Sequence, residues 1–177
     1  MSNKKHELAI DSLYYSLIKL MDQMPYKSIS ITDIVNDAGF SRMAFYRNYK
    51  DKDDILIRKL NNRADVYKVD KDNKEIIFEN QYWERFLEEF HEHNVVKYSL
   101  KAGLERKVFE ILKEKLVHLY RDVFDWDLSD QNNVSKVYEG AGAMFGLLTY
   151  YFLHKEDTIK IIIVNELVEI AKRAFKR

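Results

Sequence analysis

The sequence contains no cysteine, which excludes disulfides, thiolate metal sites and cysteine nucleophiles. It has one proline and five glycines in 177 residues, so there are few points at which helices could be interrupted. Charge of one sign is lacking too. Lys plus Arg number 29 and Asp plus Glu also 29, a balance that by itself argues against a nucleic-acid binder. Long apolar runs are absent: the longest, Ala141 to Leu153, covers 13 residues and includes Thr149, Tyr150 and Tyr151. That falls short of the ~20 residues that span a bilayer. The opening MSNKKHELAIDSL holds no apolar core of signal-peptide length, so the expectation is a soluble, cytoplasmic protein with no membrane partner.

What is present is a chain rich in core-forming residues, 46% hydrophobic and 14% aromatic. The most informative stretch runs from Ser30 to Leu56. Ser30 followed by Asp33 approximates a capping box and predicts a helix start. Ile31, Ile34, Val35 and Ala38 then fall at i, i+3, i+4 and i+7, one apolar stripe. Gly39 ends that helix, since glycine accepts the left-handed conformation of a sharp exit. Ser41 is placed to cap a second helix.

On this second helix Phe45 and Tyr49 share an apolar side. Arg42, Met43, Tyr46, Arg47 and Lys50 spread over the other. Such a sector suits the major groove: arginine can bridge guanine O6 and N7, methionine can meet a thymine methyl, and tyrosine and lysine can hold phosphates. Between Arg42 and Lys52 there are four basic residues against Asp51 alone, so the basic footprint is local. Asp51 and Lys52 begin a third helix.

Residues from about Leu8 to Leu56 resemble the N-terminal domain of the TetR (tetracycline repressor) family. The matching residues are Tyr26-x-x-Ile29-Ser30-Ile31, Ile34-Val35-x-x-Ala38-Gly39-Phe40-Ser41, Phe45-Tyr46-x-x-Tyr49 and Lys52-x-x-x-Ile55-Leu56. The resemblance implies an all-α protein: an N-terminal helix-turn-helix domain of three helices over residues 1–51, and a helical ligand-binding and dimerisation bundle over 52–177. It implies a homodimeric transcription regulator, a repressor released from a palindromic double-stranded DNA operator by a small-molecule effector. The DNA-facing residues would be Ser30, Thr32, Ser41, Arg42, Met43, Tyr46, Arg47, Lys50 and Lys52, with Tyr46 and Lys52 matching the family's phosphate contacts. Ala44 and Asn48 depart from the family pattern, and no role is carried over to them.

Beyond Lys52 the chain reads as helix throughout. A helix carrying Leu56, Leu60, Ala64 and Tyr67 leads away from the reading heads, and the polar segment Val69 to Lys74 breaks it. Trp83, Phe86, Leu87 and Phe90 mark another helix, followed by an irregular passage near Asn94 to Gly103. A helix on Leu104, Val108, Leu112, Leu116, Leu119 and Val123 precedes a loop from Asp125 to Asn133. Tyr138, Ala141, Phe145, Leu148 and Phe152 recur at alternating three and four, the seam of a bundle. Ile159, Ile163, Leu167, Ile170 and Ala174 follow a similar spacing.

By the same resemblance, these last two helices would pair with those of a second protomer through Met144, Phe145, Leu148, Phe152, Ile163, Leu167 and Ile170. Gly140, Gly142, Ala143 and Gly146 would permit close approach. Trp83, Phe86, Phe90, Phe109, Tyr138 and Phe145 are the expected wall of an apolar cavity for an aromatic or amphipathic effector.

Other chemistry is weaker. Glu88, Glu89, His91, Glu92 and His93 are metal-capable, but the reading favoured is a solvated charged face, so neither metal nor cofactor is expected. Gly140-Ala141-Gly142 lacks the strand and the Lys or Ser/Thr of a phosphate loop. No nucleophile motif supports an enzyme. Two alternatives remain for function: a small helical enzyme, and a regulator whose C-terminal region recruits a protein partner instead of a small molecule. DNA binding by the purified chain separates the main reading both from an enzyme and from an interaction protein acting through its helical surface.

Overall fold

The computed structural model describes residues 2–66, 68–154 and 157–175, and the described residues form nine α-helices and no strand. They are α1 (Ser2–Gln23), α2 (Ile31–Ala38), α3 (Arg42–Asn48), α4 (Lys52–Val66), α5 (Asn80–His93), α6 (Val95–Lys101), α7 (Glu105–His118), α8 (Gln131–His154) and α9 (Asp157–Phe175). Tyr67, which the spacing attaches to the α4 stripe, lies outside the described residues.

The first four helices follow local chemistry closely. α1 stops at Gln23, just before Pro25, whose ring disfavours a helical conformation in the residue ahead of it. A short 3₁₀ turn, Tyr26–Ser28, then redirects the chain into α2. The capping box is complete: the Asp33 amide donates to Ser30 Oγ at 3.1 Å, and the Ser30 amide donates to Asp33 Oδ2 at 2.8 Å. Gly39 ends α2 at φ 72°, where any side chain would be strained. Ser41 Oγ accepts from the Ala44 amide at 3.1 Å and starts α3, and Asp51 Oδ1 accepts from the Asp54 amide at 2.8 Å and starts α4.

Leu13 and Leu17 of α1, Ile34 of α2, Phe45 of α3, and Ile55 and Leu56 of α4 are all fully buried. At ~25 cal/mol per Å² of apolar surface, side chains of this kind stabilise by roughly 1.5–3 kcal/mol each, enough to hold four helices that would not persist alone. This core continues without a break into α5 to α9. α4 is the shared element, since Leu56 and Leu60 sit within it and its Lys59 ammonium reaches Asp11 of α1 at 2.8 Å.

Three departures from the sequence reading lie further along. The passage Asn94 to Gly103 is not irregular: it holds α6, and only its ends are unusual, Asn94 at φ 51° and Gly103 at φ 77°. Seven residues are too few to display a helical period, and Val95-Val96 reads as well for a strand as for a helix. The second departure is at the end of α7, which continues as a π-helical turn over Leu119–Val123. The loop is also shorter than expected at its far end, because α8 begins at Gln131 and Asp130 Oδ1 caps it by accepting from the Asn132 amide at 2.9 Å. No described helix is long and apolar enough to cross a membrane.

Candidate nucleic-acid interface and interior cavity

α3 divides its residues by face. Phe45 is fully buried and Tyr49, just past its end, is 4% exposed, their ring centroids 5.7 Å apart. The helix packs against α2, and the Tyr49 ring meets the Arg58 guanidinium of α4 at 5.6 Å. The opposite side presents Met43 and Tyr46, 68% and 53% exposed, with Arg42, Arg47 and Lys50 also exposed. Among the described residues none of these three cations has a carboxylate partner. By contrast, Lys19 is engaged by Asp37 and Arg58 by Asp54. An exposed cation without a partner keeps its full capacity for a phosphate or a base edge.

The remaining residues of the expected interface divide into two kinds. Thr32 is exposed on the first turn of α2. Ser30 and Ser41 are exposed, but their hydroxyl oxygens accept the capping bonds, and Ser30 Oγ also donates to Asp33 Oδ2 at 2.7 Å. Their role in this structure is to aim α2 and α3. Lys52 is half-buried. Its ammonium donates to the carbonyls of Tyr26 and Ile29, each at 2.7 Å, and lies 4.3 Å from the Tyr26 ring centroid. Burial holds its pKa below the ordinary lysine value. An ammonium has three donors, so one remains for an outside acceptor.

Asn48, to which the sequence assigns no role, donates from Nδ2 to the Ala44 carbonyl at 2.8 Å and closes the last turn of α3. Tyr26 extends the network inward: its hydroxyl donates to Asp53, which also accepts from Lys107 of α7 at 3.2 Å. Asp22 at the end of α1 similarly accepts from Tyr98 of α6 and, at 3.4 Å, from Lys101. Helices α1 and α4 are thus tied to α6 and α7 by two carboxylates, neither of which shows a helical period in the sequence.

An interior cavity of about 300 Å³ lies among α4 to α8. Trp83, Phe86, Phe90 and Phe145 line it, as the sequence led one to expect. Phe109 and Tyr138 do not. They face each other on the outer side of α7 and α8 with centroids 6.5 Å apart, and Tyr138 is 52% exposed. Val108, Ile111, Leu112, Lys115 and Leu116 are among the α7 residues on the cavity, and Phe109 falls at the edge of that arc, where its ring meets Phe145 with centroids 6.0 Å apart.

Most residues expected at an interface between subunits are already buried within the single chain. Met144, Leu148, Phe152, Ile163 and Leu167 are each at most 8% exposed within a single chain, and Phe145 and Ile170 are half-buried in it. They are the contact of α8 and α9 with their own subunit. A three-four alternation shows that a stripe is buried, but not by which copy. Gly140 belongs to this inner face, where an added Cβ would lie 3.4 Å from both Leu116 Cδ1 and Tyr120 Oη. Gly142 and Gly146 face open space. With Tyr150 and Leu153 they make the outward stripe of α8, and Ile161 and Ile162, 65% and 53% exposed, lie on that of α9.

The acidic and histidine cluster of α5 forms no group of three metal ligands among the described residues. Glu89 is engaged by Arg63, and Glu88 by Lys160 at 2.6 Å. Gly140 to Gly146 lie inside a helix, so no phosphate loop exists there. No protein-family model matches the chain, and no curated protein matches it either.

Proposed function

We propose that this chain is a DNA-binding transcription regulator of the TetR type, acting as a homodimer on a palindromic operator. The observation that carries the proposal is α3 itself. Its inner side is locked by Phe45 and Tyr49, and its outer side offers Arg42, Arg47 and Lys50 without carboxylate partners, beside exposed Met43 and Tyr46. A short, rigid helix with an unpaired basic outer side, set after a tight turn and a capped partner helix, supplies both base-edge and phosphate contacts.

Two copies are needed because one short helix reads only a half-site, and half-sites on one face of DNA are about 34–36 Å apart. The outward stripes of α8 and α9 support the second copy. Tyr150, Leu153, Ile161 and Ile162 are exposed apolar side chains. Beside them, Gly142 and Gly146 leave room for a close helix approach.

The cavity supports regulation by a small molecule. A ligand that fits the conformation with misplaced reading heads better than the DNA-bound one would release the operator, with a coupling set by that difference in affinity. The Asp53 and Asp22 contacts lie on the route between cavity helices and reading heads. The decisive experiment is selection of bound sequences from random double-stranded DNA by the purified chain. The expected product is a palindrome with half-sites one helical turn apart. Recovery of no enriched sequence, with binding that is weak and indifferent to base order, would reject the proposal.

A further inference from the structure

The cavity's wall and rim differ in kind, and this difference selects a ligand. The wall residues Trp83, Phe86, Phe90, Ile111, Met144 and Leu148 carry no charge. The one strong donor among them, the Trp83 indole N–H, is already given to the Ile77 carbonyl at 2.8 Å. The charged residues Asp65, Lys68, Glu114 and Lys115 stand at the cavity's solvent-exposed edge, and His118, whose Nε2 is buried, also lines it. There Lys115 is paired with Asp65, and His118 Nδ1 with Asp122 at 2.8 Å. Lys68 and Glu114, both exposed and of opposite sign, give the rim no net preference.

From this we infer that the cavity takes a compact, uncharged, ring-bearing molecule with a single hydrogen-bonding group; the inference deepens the effector reading above and rests on it for any effect on DNA. An ion drawn fully into the wall would lose its hydration with no buried counter-charge to replace it. The aromatic wall favours a flat ring: Trp83 and Phe86 meet edge-on at 71° with centroids 5.6 Å apart, and Phe86 and Phe90 lie 4.6 Å apart at 37°. A space of about 300 Å³ lies at the small end of the range for small-molecule sites, so the ligand is compact. Thr149 of α8, on the cavity lining, can answer a ligand hydroxyl, and Tyr82 and His118 also bring polar atoms to that lining.

The test is calorimetric titration of the full chain, at neutral pH and without DNA, with four probes of one shape. They are naphthalene, 1-naphthol, 1-naphthoate and 1-naphthylmethylammonium. The expected order places 1-naphthol first, at least about tenfold tighter than either ion. Thr149→Val keeps the side-chain shape. It should weaken 1-naphthol severalfold and leave naphthalene unchanged, whereas Lys68→Ala should alter neither. A charged probe binding as tightly as 1-naphthol would overturn the inference and point to a head group seated on the rim. Failure of all four to bind would overturn it as well. Because these titrations contain no DNA, a negative result leaves the sequence-selection outcome standing, and a positive one does not depend on it.

Discussion

The Lys52 ammonium lies 2.7 Å from the Tyr26 carbonyl oxygen and 4.3 Å from the centroid of the same residue's ring. A cation that closes the turn ahead of α2 is a structural part before it is a phosphate contact. Lys52→Ala leaves the carbonyls of Tyr26 and Ile29 short of a donor, and should cost about 1–3 kcal/mol of stability. Urea denaturation measures this directly. DNA affinity should fall on all sequences alike, with the salt slope changing by less than about one unit. Unchanged stability with a full unit of slope lost would show that Lys52 acts mainly on the DNA backbone.

Arg42 and Arg47 carry no such internal duty. Replacing either with alanine should leave the thermal midpoint unaltered and cost roughly 1–3 kcal/mol on the selected site, with relaxed choice at one base pair. Fluorescence anisotropy on the preferred site and on single-base variants measures both effects. Equal losses on every sequence would place these arginines on phosphates.

The outward and inward faces of α8 and α9 make opposite predictions. Leu148 is 3% exposed inside the subunit, so Leu148→Glu buries an unpaired charge and should unfold the chain. Ile161 is 65% exposed, so Ile161→Glu should leave helicity intact by circular dichroism while sedimentation shows the dimer dissociating. DNA affinity should then collapse with the reading helix untouched. A wild-type chain that sediments as a monomer at micromolar concentration, yet holds a palindrome tightly, would refute the dimer.

The legible parts of this molecule are those written in local chemistry. Ser30, Gly39, Ser41 and Phe45 mark α2 and α3 because caps, a left-handed exit and an apolar pair act within a few residues of themselves. Spacing also finds Trp83, Phe86 and Phe90, which sit on one face of α5 and one side of the cavity. It fails where the deciding neighbour is far away in sequence. Phe109 and Val108 are equally plausible cavity residues until the rotation of α7 is known. Leu148 and Leu153 are equally apolar, and only the packing of α7 against α8 sends one inward and the other outward. The pairings of Asp53 with Lys107 and Asp22 with Tyr98 join residues more than fifty positions apart, so no periodicity announces them.

Those two carboxylates should make stability fall in acid. Burial works upward on the Asp53 pKa, but the hydrogen bonds from Tyr26 and Lys107 outweigh it, and the net shift is downward. The Asp22 carboxyl is lowered by its bond from Tyr98 and by Lys101. A group whose folded pKa is depressed is protonated first in the unfolded chain. Its contribution is therefore complete above the ordinary carboxylate value near 3.9 and is lost as pH falls through the folded value. The thermal midpoint should begin to drop as pH falls below about 5 and keep dropping below the ordinary carboxylate value. Asp53→Asn should lower it at neutral pH and make the acid drop shallower, since one titrating contact is gone. Scanning calorimetry across this range checks both. A parallel drop in the variant would assign the acid sensitivity to other carboxylates. An unchanged neutral midpoint would mean that the Tyr26–Asp53–Lys107 link does not hold the reading head to α7.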